Sequence, residues 1–332
     1  MRQLVFHGPR RLAVEEGTPR ALEPGEVRVR VHSVGVCGSD VHGYAGINGR
    51  RAPGMVMGHE AVGTVIEGDL PAGAKVAINP VLGCGECVYC RAGDDNVCES
   101  RRIYGCVPGL AGAYADEVVV RAANAVPFDS EAPLEWGALA EPLSVGARAA
   151  RVGSIGPEDE VLVVGGGPIG LSAALACRRR GAARVLVSEP LAHRRDVAAR
   201  LAFETLDPSS EETPRSAMTK SIECVGHGAT LRAALEAVRP QGLVVFVGLA
   251  EETIELAPTP LMVGERMIAG SSAYASYDFR DIVEWIGSGA EDLAPLIELR
   301  VDLDGLADVF EAYADGRLDA VKTLLQPAAG RG

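Results

Sequence analysis

The 332 residues contain no basic tract, no internal repeat and no low-complexity segment. Acidic residues outnumber basic ones by 45 to 32, giving a formal net charge of −13 and a pI near 5.0. Nucleic acid and anionic membrane are therefore poor electrostatic partners, and the acidity serves solubility. The opening stretch, MRQLVFHGPRRLAVEE, has neither the apolar core nor the cleavage site of a signal peptide. The uncharged run Val161–Cys177 is seventeen residues long, short of a usual membrane span, and its GGGP fits a turn better than a lipid-facing helix. A soluble, cytoplasmic protein is expected.

Composition is that of an ordinary globular chain, 47% hydrophobic and 23% charged, and the length suggests two domains. The most informative stretch is VLVVGGGPIG, Val161–Gly170. Four apolar residues run straight into glycines, as a fully buried parallel strand does when it turns into a helix. Gly165, Gly167 and Gly170 stand at G-x-G-x-x-G positions: one for the tight turn, one for the approach of a pyrophosphate, one for helix–strand packing. The next strand, Arg184–Ser188, ends at Glu189, where a carboxylate would accept hydrogen bonds from ribose hydroxyls. Dinucleotide binding is the reading, with a merely structural glycine turn as its alternative. The carboxylate also disfavours the extra phosphate of NADP, so NAD is expected. Arg194 and Arg195 lie near enough to bind that phosphate, or form a solvated basic face.

Before Pro142 the pattern is irregular antiparallel β: Val27, Val29 and Val31 alternate with Arg28, Arg30 and His32, and Gly and Pro recur. After it, helix and strand alternate in the manner of a doubly wound sheet. Short strands and a helix over 277–287 follow Gly270 and are too few for a domain of their own. Four of eight cysteines fall at C-x2-C-x2-C-x7-C, Cys84, Cys87, Cys90 and Cys98. Such crowding without an export signal favours a closed, structural zinc site over disulfides; a redox pair or an empty remnant are the alternatives. A dispersed set, Cys37, His59-Glu60 and Glu141, has a bland reading for each member alone. Together they offer the mixed ligands and open position of catalytic zinc.

With these residues, the chain resembles the zinc-dependent medium-chain dehydrogenase/reductase family, on its sorbitol/threonine-dehydrogenase-like branch. GVCGSDVH, GHE, the four-cysteine lobe, EPLSV, GGGPIG and the closing VKTLLQP carry the resemblance in that order, over nearly the full length. It implies an α/β protein: a Rossmann doubly wound parallel sheet over 143–271, and a GroES-like, mostly antiparallel β catalytic domain over 1–142 and 272–332 with a zinc lobe at 84–98. Two Zn²⁺ per chain and NAD are implied. Cys37 and His59 match catalytic-zinc ligands. Glu141 stands where polyol dehydrogenases have Glu, and Glu60 matches an acid that ligates zinc in some members. Ser39 would take the substrate proton and pass it through the cofactor ribose to His42, with Asp40 supporting the ligands. Gly165, Gly167, Pro168, Ile169, Gly170, Glu189, Arg194, Val225 and Val247 are the cofactor residues.

The implied reaction is hydride transfer between a secondary alcohol (a polyol, sugar derivative or cyclitol) and NAD, in a homodimer or homotetramer. A threonine-type amino-alcohol dehydrogenase and a non-catalytic NAD-binding zinc protein are the alternatives. The resemblance frays at Ala273-Tyr274, where sugar dehydrogenases often carry Arg-Tyr, and between Leu201 and Ser221, where one crossover is short. Tyr44, Ile47, Trp136 and Tyr274 are pocket candidates or core. Cys106, Cys177 and Cys224 match no ligand position, and His7, His32, His193 and His227 are expected to be structural.

Overall fold

A computed structural model describes residues 1–47, 49 and 51–327. The chain divides into two compact units, Met1–Glu141 with Ala275–Gly332, and Pro142–Tyr274. No helix among the described residues is long and apolar enough to cross a membrane.

In the first unit the strand Glu26–Gly35 is central. Val27 and Val29 are fully buried, as the alternation requires, and the strand pairs antiparallel with Glu60–Gly68, Glu117–Arg121 and Lys322–Leu325. The sheet runs Ala125–Pro127, Lys75–Ile78, Glu60–Gly68, Glu26–Gly35, Lys322–Leu325, Ile297–Val301. Its register sets Gly35 opposite Glu60 on one side and Leu324 on the other. A side chain at Gly35 would displace the Glu60 carboxylate, because a Cβ there would lie 1.9 Å from Glu60 Oε2. One end of the sheet thus gathers residues from both ends of the sequence.

The cysteine-rich segment leaves this body between two short antiparallel strands, Val81–Leu82 and Arg102–Ile103. Cys87 caps the short helix Val88–Ala92, its sulfur accepting from the Cys90 N–H. The segment is tied down by two aspartates. Asp95 accepts from the Ser276 backbone N–H at 2.8 Å and from the Ser276 hydroxyl, and the Tyr277 hydroxyl donates to Asp94 at 3.2 Å. A carboxylate therefore holds the start of the helix Ser276–Gly287, where the exposed N–H groups favour an anion.

The second unit is a six-stranded parallel sheet in the order Glu204–Leu206, Arg184–Ser188, Glu160–Val164, Met218–Glu223, Val238–Phe246, Met267–Gly270. Numbered within the sheet this is 3-2-1-4-5-6, the doubly wound topology. Val161, Leu162 and Val163 are buried to 0% exposure, since helices cover such a strand on both faces. The run Val161–Cys177 resolves into that strand, the glycine turn and the helix Pro168–Arg179. The short crossover contains no helix between Glu204–Leu206 and Met218–Glu223. Strand order reverses between Glu160–Val164 and Met218–Glu223, and open α/β sheets bind ligands at such a switch point.

Candidate functional site

The four cysteines of the lobe bring their sulfurs within 4.8 Å of one another. Cys84 and Cys90 Sγ are 3.9 Å apart, far beyond a disulfide bond. It is close to the ~3.8 Å edge of a tetrahedron drawn with Zn–S bonds of about 2.3 Å. Backbone N–H groups point at the sulfurs: Cys84 to Cys98, Cys87 to Cys84 and Cys90 to Cys87, at 3.3–3.4 Å. The N–H groups of Glu86 and Cys87 pull the Cys84 thiol down to about 6, toward the thiolate that binds metal. This donor set fits zinc with no open position.

The dispersed residues assemble at the end of the first unit's main sheet. Cys37 caps the helix Gly38–Tyr44, and its ligand atom and those of His59 and Glu60 lie within 4.8 Å of one another. The Ser39 hydroxyl is 3.3 Å from Cys37 Sγ, and His42 is exposed in the last turn of the same helix. Glu141 sits in the first turn of Ala140–Val152; its charge reaches Lys322, but it is not in the Cys37–His59–Glu60 group. Burial would lower the pKa of His59, but Cys106, Asp40 and Cys37 outweigh it and hold the group well above its ordinary value. A metal ion must then displace a proton to bind there. Thiol, imidazole and carboxylate converging in one buried place fit a catalytic zinc shell.

Further residues complete this site. Lys322 Nζ spans the Glu60 carboxylate at 2.9 and 2.7 Å and also donates to the Val36 carbonyl at 3.2 Å. Asp40 is fully buried and takes Tyr114 Oη at 3.0 Å, His59 Nδ1 at 3.3 Å and Arg51 Nη2 at 2.6 Å. Cys106 Sγ lies 3.5 Å from His59 Nδ1. Of the pocket candidates, Tyr44 is buried against the Phe310 ring with its hydroxyl on Glu311. Tyr274 is buried, Trp136 is half-buried and Ile47 is exposed.

In the second unit, Gly165 has φ +101° and a Cβ at Gly170 would sit 1.8 Å from the Gly165 carbonyl oxygen. Only glycine allows this closure of turn on helix. Gly167 caps Pro168–Arg179 with an extended backbone, Pro168 occupies the first turn and Ile169 follows, leaving N–H groups for an anion. A Cβ at Gly167 would come within 3.3 Å of Arg194 Nη1, placing that guanidinium beside the turn. Glu189 is buried beside it, accepting from the N–H groups of Gly166 at 2.7 Å and Leu191 at 2.9 Å. Arg195 is committed elsewhere, to Asp207 at 3.1 Å and the Glu189 and Pro190 carbonyls. Val225 packs where a Gly165 Cβ would be, and the Val247 N–H donates to the Glu223 carbonyl at 2.9 Å. Glu223 itself is fully buried, and its carboxylate takes the N–H groups of Val225 and Gly226 and the Thr230 hydroxyl. It shapes the loop after the fourth strand of the sheet and had no sequence signal. Cys224 directly follows that strand. Burial raises its thiol, and pushes that of Cys177 up to about 12; Cys177 is core, whereas Cys224 is half-buried.

Comparison with known proteins agrees with this geometry. Residues 23–130 match the alcohol dehydrogenase GroES-like domain and residues 168–288 the zinc-binding dehydrogenase domain. The chain is 34% identical to L-idonate 5-dehydrogenase of Vitis vinifera, over 92% of this chain and 88% of that protein. It is 33% identical to sorbitol dehydrogenase of Homo sapiens, over 94% and 92%. A zinc-binding dehydrogenase of Sinorhizobium meliloti 1021, solved bound to NADP, superposes with a TM-score of 0.90 at 26% identity, covering 98% and 99%. Two metal-ligand clusters, a dinucleotide turn and relatives aligned from end to end leave one conclusion: the chain belongs to the zinc-dependent medium-chain dehydrogenase/reductase family, in its sorbitol-dehydrogenase-like branch, and is an oxidoreductase that uses zinc and a nicotinamide dinucleotide.

Proposed function

We propose that this protein oxidises a secondary alcohol of a polyol or sugar acid to the ketone, with NAD preferred over NADP. The convergence of Cys37, His59 and Glu60 within 4.8 Å carries the reading. Cys37 and His59 hold the catalytic zinc, with carboxylate from Glu60 and Glu141, while Cys84, Cys87, Cys90 and Cys98 hold the structural one. When bound, zinc lowers the pKa of a substrate hydroxyl and NAD accepts the hydride. Ser39 takes the hydroxyl proton, and exposed His42 on the same helix releases it to water. In the other unit, Gly165, Gly167, Pro168, Ile169 and Gly170 present the turn for the pyrophosphate, flanked by Val225 and Val247. Glu189 and Arg194 address the adenosine ribose. The carboxylate repels a 2′-phosphate, and Asp207 pairs with Arg195, one of the two arginines near enough to welcome it.

Relatives that act on idonate and sorbitol support the substrate class. Eight free cysteines support a reducing, cytoplasmic setting. A homo-oligomer is supported by the edge strand Met267–Gly270, beside which Met262, Val263 and Met267 are exposed. The test is NADH formation from NAD across polyols, aldonates, cyclitols and threonine, with zinc counted per chain. Turnover of a polyol or aldonate, abolished in Cys37→Ala along with one of about two zincs, is expected. Undiminished turnover in Cys37→Ala refutes the site, and a clear preference for NADP refutes the role of Glu189.

A further inference from the structure

His59 is shared by two clusters. Its ligand atom groups with those of Cys37 and Glu60, and again with those of Asp40 and Cys106, each set within 4.8 Å. Asp40 and Cys106 both face Nδ1, at 3.3 and 3.5 Å, so the second group is a possible cation site on the other edge of the same ring. An imidazole, a carboxylate and a thiol are the chemistry a divalent ion seeks. Arg51 already stands there. Its Nη2 donates to Asp40 Oδ1 at 2.6 Å and lies 3.5 Å from Cys106 Sγ, and its Nη1 donates to the Cys106 carbonyl at 2.8 Å. The side chain is only 3% exposed and crosses Gly43, where a Cβ would come within 2.4 Å of Arg51 Cγ. The helix Gly38–Tyr44 thus makes room for it.

We propose that Arg51 is a positioning residue for the catalytic zinc: its guanidinium fork fixes Asp40 against His59 Nδ1, presents Nε2 to the metal, and keeps a cation out of the Asp40–His59–Cys106 group. A permanent charge with two fixed donors suits this task, because it cannot be lost by deprotonation and holds carboxylate and carbonyl together. Groups that orient a metal-bound histidine typically affect metal affinity 10–100-fold. The inference rests on the reading that Cys37 and His59 hold the catalytic zinc.

The experiment follows zinc release from the whole protein into an excess of chelator, with structural and catalytic phases assigned by Cys87→Ser and Cys37→Ala. Arg51→Gln should release catalytic zinc about 10–100-fold faster while the structural phase stays unchanged. Titrated with Cd²⁺, the same variant should take up one ion more than wild type, His59 releasing its Nδ1 proton to solvent so that the ring bridges both ions as imidazolate, and adding Cys106→Ser should abolish that ion. A general loosening of the fold would speed both phases and overturns the proposal, as does wild-type release. Should Arg51→Gln fail to fold, Arg51→Lys keeps the charge without the fork, and its release at the wild-type rate is equally fatal. Failure of Cys37→Ala to lose a zinc would instead overturn the site itself, a result distinguishable from either.

Discussion

Replacing Lys322 by Met tests the charge balance of the catalytic site most directly. The stem is of similar length, so the change removes an ammonium and little else. That ammonium uses all three donors, two on Glu60 at 2.9 and 2.7 Å and one on the Val36 carbonyl at 3.2 Å. The side chains are 3% and 1% exposed, so water cannot take over. Leaving one charge of a buried pair without its partner costs about 3–5 kcal/mol, a large share of the 5–15 kcal/mol that holds a typical domain folded. The double variant Lys322→Met/Glu60→Gln has no orphaned charge and should recover at least about 2 kcal/mol of the loss.

Both tryptophans, Trp136 and Trp285, lie in the first unit, so their fluorescence in urea follows that unit alone. A loss below about 1 kcal/mol in the single variant, or a double variant no more stable than it, refutes the reasoning. Alkali offers an independent check. Burial lowers the Lys322 pKa, but Glu60 and Cys37 outweigh it and the group ends above its ordinary value. Its contribution is then full below about pH 10.4 and lost as pH rises through the folded-state pKa. Wild type should lose that increment in alkali, and Lys322→Met should not.

Three further outcomes are expected. Gly170→Ala drives a methyl into the Gly165 carbonyl oxygen, 1.8 Å from its ideal position. It should weaken NADH binding at least about tenfold, with about 1–3 kcal/mol lost from the second unit; a fluorescence titration giving wild-type affinity would contradict the assigned role of the turn. Cys87→Ser opens the four-sulfur cluster and should cost the structural zinc and thermal stability while Cys37 and His59 keep theirs. Metal analysis showing both ions retained would exclude the closed site. Asp40 is held down to about 2, because His59 and Arg51 outweigh a burial that alone would raise it. That depression contributes about 2 kcal/mol at neutral pH, present above about pH 3.9 and lost as pH falls through the folded value. Urea unfolding between pH 6 and 2 should show this loss in wild type and not in Asp40→Asn.

What could be read from the sequence follows from how far each contact reaches along the chain. The strand Arg184–Ser188 was legible to the residue because apolar composition and its flanking glycine and acid are local. The cysteine lobe was equally plain, since the fifteen residues from Cys84 to Cys98 contain all four sulfurs of the cluster. Cys37, His59 and Glu141 were weak signals singly and gained weight only taken together and by resemblance, because separate elements carry them. Lys322 lies within VKTLLQP, which carried the resemblance, but neither it nor Arg51 showed its partner or its role in the sequence. Lys322 meets Glu60 across 262 positions, and Arg51 bonds Cys106 across 55, contacts that exist only once the last strand lies beside Gly35 and the loop crosses Gly43. Their placement nevertheless obeys a rule visible in hindsight. Asp40 and Glu60, the two fully buried acids at the proposed metal site, would each be costly alone, and each has its own buried cation. With those charges offset, the Cys37 thiolate and the carboxylate that joins it govern how strongly zinc is held. If so, Lys322→Met and Arg51→Gln should affect zinc in opposite ways: the first frees an anion to compete for the metal and slows its release, and the second loosens the histidine and speeds it. Chelator release that moves in the same direction for both would show that the two pairs do not act separately on the metal.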